Sequence, residues 1–125
     1  MTNIIAMEPS AEDRRYFGAS IRRVSADGQE YYSAREAALF LGYPRWNAFK
    51  AVIRRAEKVS PEHFLAVEKV TETRSGIARS MDDVHLSREA FLLVVQNADP
   101  HKTMVAHGQI YIARQVAGAA QRGIA

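Results

Sequence analysis

Five cations fall in the sixteen residues from Pro44 to Val59: Arg45, Lys50, Arg54, Arg55 and Lys58, against one acid, Glu57. Guanidinium forks match phosphate oxygens through paired hydrogen bonds, so such a cluster suits a polyanion. It suits an acidic protein surface nearly as well. At about 100° per residue, Trp46, Phe49, Val52, Ile53, Ala56 and Val59 gather on one side of a helix. Asn47, Lys50, Arg54, Arg55 and Lys58 gather on the other. In a DNA major groove the start of such a helix reaches base edges, Arg45 toward guanine and Asn47 toward adenine. Lys50, Arg54 and Lys58, further along, suit phosphates. Arg74 and Arg79 lie in Thr73–Ser80, a stretch that reads as a mobile basic loop and fits a wing-like phosphate contact. The plain alternative for all of these is a solvated basic face.

Other chemistries are poorly supplied. The chain has no cysteine, which excludes disulfides, thiolate metal sites and a cysteine nucleophile. No nucleophile elbow, phosphate-binding glycine loop or dinucleotide fingerprint occurs. His63, His85, His101 and His107 include no pair at the three- or four-residue spacing that puts two ligands on one helix face. Asp82-Asp83 has the residue types to bind Mg²⁺ and, taken with Glu68-Lys69, supplies nuclease residue types without the acidic-x-Lys spacing; it reads as a turn or a solvated pair. The aromatics Tyr31, Tyr32, Trp46 and Phe49 have the means to stack bases. Trp46 and Phe49 lie on the apolar helix side, so core packing is their expected role. No catalytic residue, metal or cofactor is expected.

The elements that must position these residues follow from caps and periods. At 125 residues the chain is one domain, with a core of ordinary size. Hydrophobic residues make up 47% and charged residues 25%, a globular balance. Lys plus Arg is 17 and Asp plus Glu 14. The excess is local: residues 1–60 carry ten cations and seven anions, whereas 61–125 carry seven of each. No run reaches the ~18 apolar residues of a membrane span. Met1–Phe17 has no basic start followed by an apolar run, so the expectation is a cytoplasmic protein.

Residues 1–15 read as an irregular tail. Ile21–Val24 and Gln29–Tyr32 form a hairpin about Asp27-Gly28. Ser33 and Glu36 give a Ser-x-x-Glu capping box for a helix ending at Gly42. Pro44 fits the first position of the basic helix, which runs to about Val59. The two helices make a helix-turn-helix-like pair. Residues 63–86 read as a second hairpin. Ser87 caps a helix over the apolar run Ala90–Val95, and Asp99-Pro100 starts the last helix, which runs to about Ala117. Gly108 inside it permits close packing.

Several of these pieces together resemble the BRO-type N-terminal domain of the DinD and phage antirepressor-like family. The resemblance rests on Phe17…Ile21-Arg22-Arg23, Tyr32-Ser33-Ala34-Arg35-Glu36, Leu41-Gly42-Tyr43 and Trp46-Asn47-Ala48-Phe49. It continues through His63-Phe64, Leu86-Ser87-Arg88, Gln96-Asn97-Ala98-Asp99-Pro100, Gly108-Gln109 and Tyr111, from residue 17 to about 115. Two departures stand out. Val59–Glu62 is shorter than the family's usual insert, and Glu89-Ala90-Phe91 replaces a Tyr-Ala-Cys-like stretch. Longer members continue into a C-terminal region beyond this chain's last residue. The resemblance implies a DNA-binding or repair-regulating role, linked to the SOS response to DNA damage or to antirepression, with a recombinase or repressor as protein partner.

The expected architecture is α+β: small β-hairpins, a helix-turn-helix-like pair and two C-terminal helices. Residues 16–117 form one BRO-N-like domain between a flexible tail, 1–15, and a frayed end, 118–125. The expected function is a non-enzymatic DNA-binding regulator, acting on single- or double-stranded DNA. The alternative is a module that inhibits a recombinase filament or a repressor without touching DNA. A +3 domain this small binds DNA weakly alone, so a homodimer or a second module would help.

Overall fold

The computed structural model describes residues 8–124. Ser10 starts the first helix, α1 (Ala11–Arg15), its Oγ accepting from the Asp13 amide at 3.1 Å. The irregular stretch expected here therefore gives way to a capped helical turn. Asp13 is buried. Its carboxylate takes the Ser10 hydroxyl at 2.9 Å and the Ser20 amide at 3.0 Å, tying α1 to a 3-10 turn, Ala19–Ile21. The rest of that expected tail, 1–7, lies outside the described residues.

Asp27-Gly28 turns the chain between β1 (Arg23–Val24) and β2 (Glu30–Ser33). The first arm is shorter than expected, because Ile21 closes the 3-10 turn instead. Ser33 caps α2 (Ala34–Phe40), its Oγ accepting from the Glu36 amide at 3.3 Å. Only half of the capping box forms. The Glu36 carboxylate turns away to pair with Arg23. Gly42, at φ +89°, ends the helix with a conformation that L side chains resist. Pro44 does not open the next helix. Arg45 stays extended as its N-cap, and α3 runs Trp46–Glu57.

β3 (Phe64–Glu72) and β4 (Ala78–Leu86) pair along their whole length, from Phe64↔Leu86 to Glu72↔Ala78. The expected loop is thus shorter, with Ala78, Arg79 and Ser80 inside β4. The four strands are antiparallel in the order β1-β2-β4-β3, with β2 joined to β4 through Tyr32↔Leu86 and Ser33↔His85. Only the base of the β3–β4 ribbon meets the core: Phe64, Asp83 and Leu86 are buried, whereas Val70 and Ile77 are 64% and 65% exposed. The rest projects as an arm.

Ser87 caps α4 (Arg88–Asn97), accepting from the Ala90 amide at 3.1 Å, so the apolar run is a helix. It buries Ala90, Phe91, Val94 and Val95. Asp99-Pro100 forms a turn rather than a helix start. Asp99 Oδ1 accepts from the His101 amide at 2.9 Å, and α5 begins three residues past Pro100 (Thr103–Ile124). It continues beyond Ala117, where fraying was expected. This is an α+β fold, with five α-helices and a four-stranded sheet among the described residues.

The core lies between the sheet base and the helices. Tyr32 and Phe91 stack with centroids 4.4 Å apart, and Phe17 packs edge-on to Phe40 at 5.2 Å. Arg88 closes one end. It donates to the Phe17 carbonyl at 2.5 Å and the Tyr32 hydroxyl at 2.8 Å, with its guanidinium 3.7 Å from the Tyr16 ring centroid. Tyr32 passes its own proton toward Glu30 at 3.2 Å. Burial drives the Tyr32 hydroxyl's pKa upward, so it stays a donor at any physiological pH.

Candidate nucleic-acid interface

Helix α3 turns Phe49, Val52, Ile53 and Ala56 into the core, as its period requires. Val59 was expected with them. It is 67% exposed, because the helix has already ended. On the opposite side Asn47, Arg54 and Lys58 are exposed, one helical turn or two apart in a single stripe. Arg45 is exposed at the N-cap. Among the described residues, Arg45, Arg54 and Lys58 meet no carboxylate, whereas Arg14, Arg22, Arg23 and Arg35 are each paired with one.

The two remaining cations of α3 are committed. Lys50 Nζ lies 3.7 Å from Asp82 Oδ2. Arg55 Nη2 donates to the Asn97 carbonyl at 3.0 Å, satisfying the C-terminal end of α4, where a cation is favoured. Arg55, though exposed, therefore also joins two helices.

Asp82, on β4, gathers the elements around it. Trp46 Nε1 donates to Oδ2 at 3.3 Å and Arg35 Nη2 to Oδ1 at 2.9 Å. Arg35 Nε also donates to the Asp82 carbonyl at 2.6 Å, and its guanidinium lies 4.3 Å from the Trp46 ring centroid. The indole hydrogen bond, with Arg35 and Lys50 beside it, holds the Asp82 carboxyl below the ordinary aspartate range against the opposing cost of burial. Trp46 itself is half-buried, packed against the edge of the core beside Phe49 and roofed by Arg35.

Asp83 serves other partners. It is buried, and its carboxylate accepts from the Ser33 hydroxyl at 2.6 Å and the Arg35 amide at 3.0 Å. The expectation of a turn or solvated pair fails for this residue. Asp82 and Asp83 do not converge on a common point. Among the described residues no cluster of three or more His, Asp or Glu side chains forms a metal site. Tyr32 is fully buried, and Tyr31 is half-buried against His85, ring centroids 4.3 Å apart.

Arg79 and Arg74 are exposed on the arm, Arg79 opposite Thr71 in the ladder and Arg74 in the tip turn. At roughly 3.3 Å per residue the tip lies about 17 Å beyond the Glu68–Asp82 pair. Arg74 thus stands far out on the arm, while Arg79, three residues from Asp82, lies about 10 Å along the strand from it. Between the arm and α2 runs an apolar groove of about 350 Å³, lined by Leu39, Tyr43, Pro44, Trp46 and Met81 among others.

The Arg35–Trp46–Asp82 cluster is what sequence reasoning missed. Arg35 and Asp82 stand 47 positions apart, so no local period joins them. The one available signal was Arg35's place in the Ser-Ala-Arg-Glu piece.

A helix-turn-helix-like pair thus presents a basic stripe beside a projecting β arm. The chain belongs to the BRO family, N-terminal domain, which it matches over residues 20–116. It is 36% identical over 102 residues to DNA damage-inducible protein D of Escherichia coli (strain K12), covering 76% of this chain and 37% of that protein. The chain thus spans little more than a third of that relative's length. No solved structure gives a significant match. No helix among the described residues is long and apolar enough to cross a membrane.

Proposed function

We propose that this domain is a non-enzymatic regulator that binds DNA through α3, with the β3–β4 arm as a second phosphate contact. The observation that carries the reading is the stripe of Asn47, Arg54 and Lys58, whose two cations meet no carboxylate among the described residues. Cations left unneutralised along one helix face are what a polyanion would use. Arg45 and Asn47, at the helix start, supply the base-edge contacts. Lys50 and Arg55 leave the list of free contacts, being engaged with Asp82 and Asn97. The relative named for DNA damage supports a role in the damage response.

The test is fluorescence anisotropy on labelled single- and double-stranded DNA across a salt series. With three or so phosphate contacts, log Kd should rise with log salt at a slope of about 3. Arg54→Ala/Lys58→Ala should lower that slope by roughly 1.8, since each cation releases about 0.9 counterion on duplex DNA. No binding of either DNA form at low salt would sink the reading.

The apolar groove favours a second reading, a module that docks on a recombinase or a repressor without touching DNA. Leu39, 67% exposed at its rim, would then be the anchor. On that reading Leu39→Glu would abolish capture of the recombinase or repressor, and added duplex would not compete with capture by the unmutated protein.

A further inference from the structure

Three donors converge on one solvent-facing carboxylate at the foot of the arm. Arg35 Nη2, Trp46 Nε1 and Lys50 Nζ reach Asp82 at 2.9, 3.3 and 3.7 Å. The Asp82 side chain is 62% exposed, so the cluster opens outward and is not a core ion pair. An exposed pair of this kind contributes little to stability, because water competes for both charges. A fork-shaped guanidinium, an ammonium and an N–H around one anion form the donor set that recognises a phosphate. Position agrees with chemistry. Lys50 lies on α3 three residues after Asn47 and four before Arg54, so the cluster adjoins the exposed stripe.

We propose that Arg35, Lys50 and the Trp46 indole N–H form a phosphate-binding site for the DNA backbone, occupied in the free protein by Asp82 and vacated when a phosphate displaces that carboxylate. The inference rests on the DNA-binding reading above and deepens it. Asp82 acts as an internal competitor. It keeps two cations and an indole in place and lowers affinity for polyanions until a phosphodiester is held nearby by Arg54 and Lys58. The depressed pKa of Asp82 is the counterpart of that donor set, which favours a bound negative charge.

The experiment uses the whole chain with Asp82→Asn, which keeps the size and one acceptor oxygen while removing the charge. Asp82→Ser serves as a second variant, and circular dichroism and Tm confirm folding of each. The variants should bind duplex DNA on the order of tenfold more tightly at low salt. The salt slope should steepen by about 1.8, as two further cations meet phosphates. Adding Lys50→Ala to Asp82→Asn should return about half of that increase. A second arm titrates pyrophosphate while following the emission of Trp46, the one tryptophan in the chain. Saturable change in Asp82→Asn, much weaker in wild type, is expected. Wild-type binding to DNA with unchanged or weaker binding by both variants would overturn the proposal and leave the α3 reading standing. A pyrophosphate response without DNA binding by any variant would keep the site and overturn the DNA reading. No gain in either arm would remove the site altogether.

Discussion

At the scale of residues, the sorting of cations by partner matters more than their number. Arg23 is held by Glu36, Arg22 by Glu30 at 2.5 Å, and Arg35 by Asp82, while Arg45, Arg54 and Lys58 face solvent without a carboxylate among the described residues. Asp82 gives this scale its pH test. Its folded pKa is depressed, chiefly by the Trp46 hydrogen bond and then by Arg35 and Lys50. A depressed carboxylate contributes stability that is present above its unfolded pKa and is lost as pH falls through the folded value. Trp46 emission should therefore hold steady down through the ordinary aspartate range and change only below it. Asp82→Asn should lack that step. A step at or above the ordinary range would mean that the indole and the carboxylate are not in contact in solution.

At the scale of elements, close approach and capping decide where the helices sit. Gly108 places α5 directly on the core. A Cβ there would lie 2.7 Å from Phe17 Cε2 and 2.7 Å from Val95 Cγ1. Gly108→Ala would gain about 1 kcal/mol of helix propensity and lose it to overpacking, which costs ~1–3 kcal/mol. The expected outcome is a lower Tm, measurable by thermal denaturation. A stabilised variant would mean that α5 stands further off. Asp83 performs the matching task for α2, since it ties the helix's first turn to β4 through Ser33 and the Arg35 amide. Asp83→Ala leaves both donors without a partner and should destabilise the fold by ~1–3 kcal/mol in urea denaturation. Loss of that contact would leave the exposed stripe of α3 untouched.

At the scale of the whole molecule, the protein offers two contact groups on one frame. The stripe on α3 and the arm cations Arg74 and Arg79 are linked through the sheet base and the Asp82 cluster. Two weak contacts on one scaffold act as an intramolecular pair, so each raises the effective concentration of the other. Arg74→Ala/Arg79→Ala should weaken DNA binding with Tm unchanged, because both side chains are exposed. Combined with Arg54→Ala/Lys58→Ala, it should remove binding at physiological salt. An arm variant with wild-type affinity would assign the whole interface to α3.

The sequence by itself determined the elements that local chemistry specifies. Ser33 and Ser87 announced their helices because an N-cap hydroxyl works through residues two or three positions away. The 100° period placed Phe49, Val52, Ile53 and Ala56 inward and Asn47, Arg54 and Lys58 outward, since a helix has one fixed geometry. The ordered motifs from residue 17 to about 115 carried the family. Boundaries were less legible. Pro44, Asp99-Pro100 and Ala117 suggested helix boundaries that the chain does not use, because a local signal of about 1 kcal/mol is too weak to fix where a helix starts or stops. Only the tertiary structure decided which cations are free. Asp82 meets Arg35 across 47 residues and Arg55 meets Asn97 across 42. A charge's partner is set by distance in space, and a sequence period reports nothing about strands that pair from opposite ends of a chain.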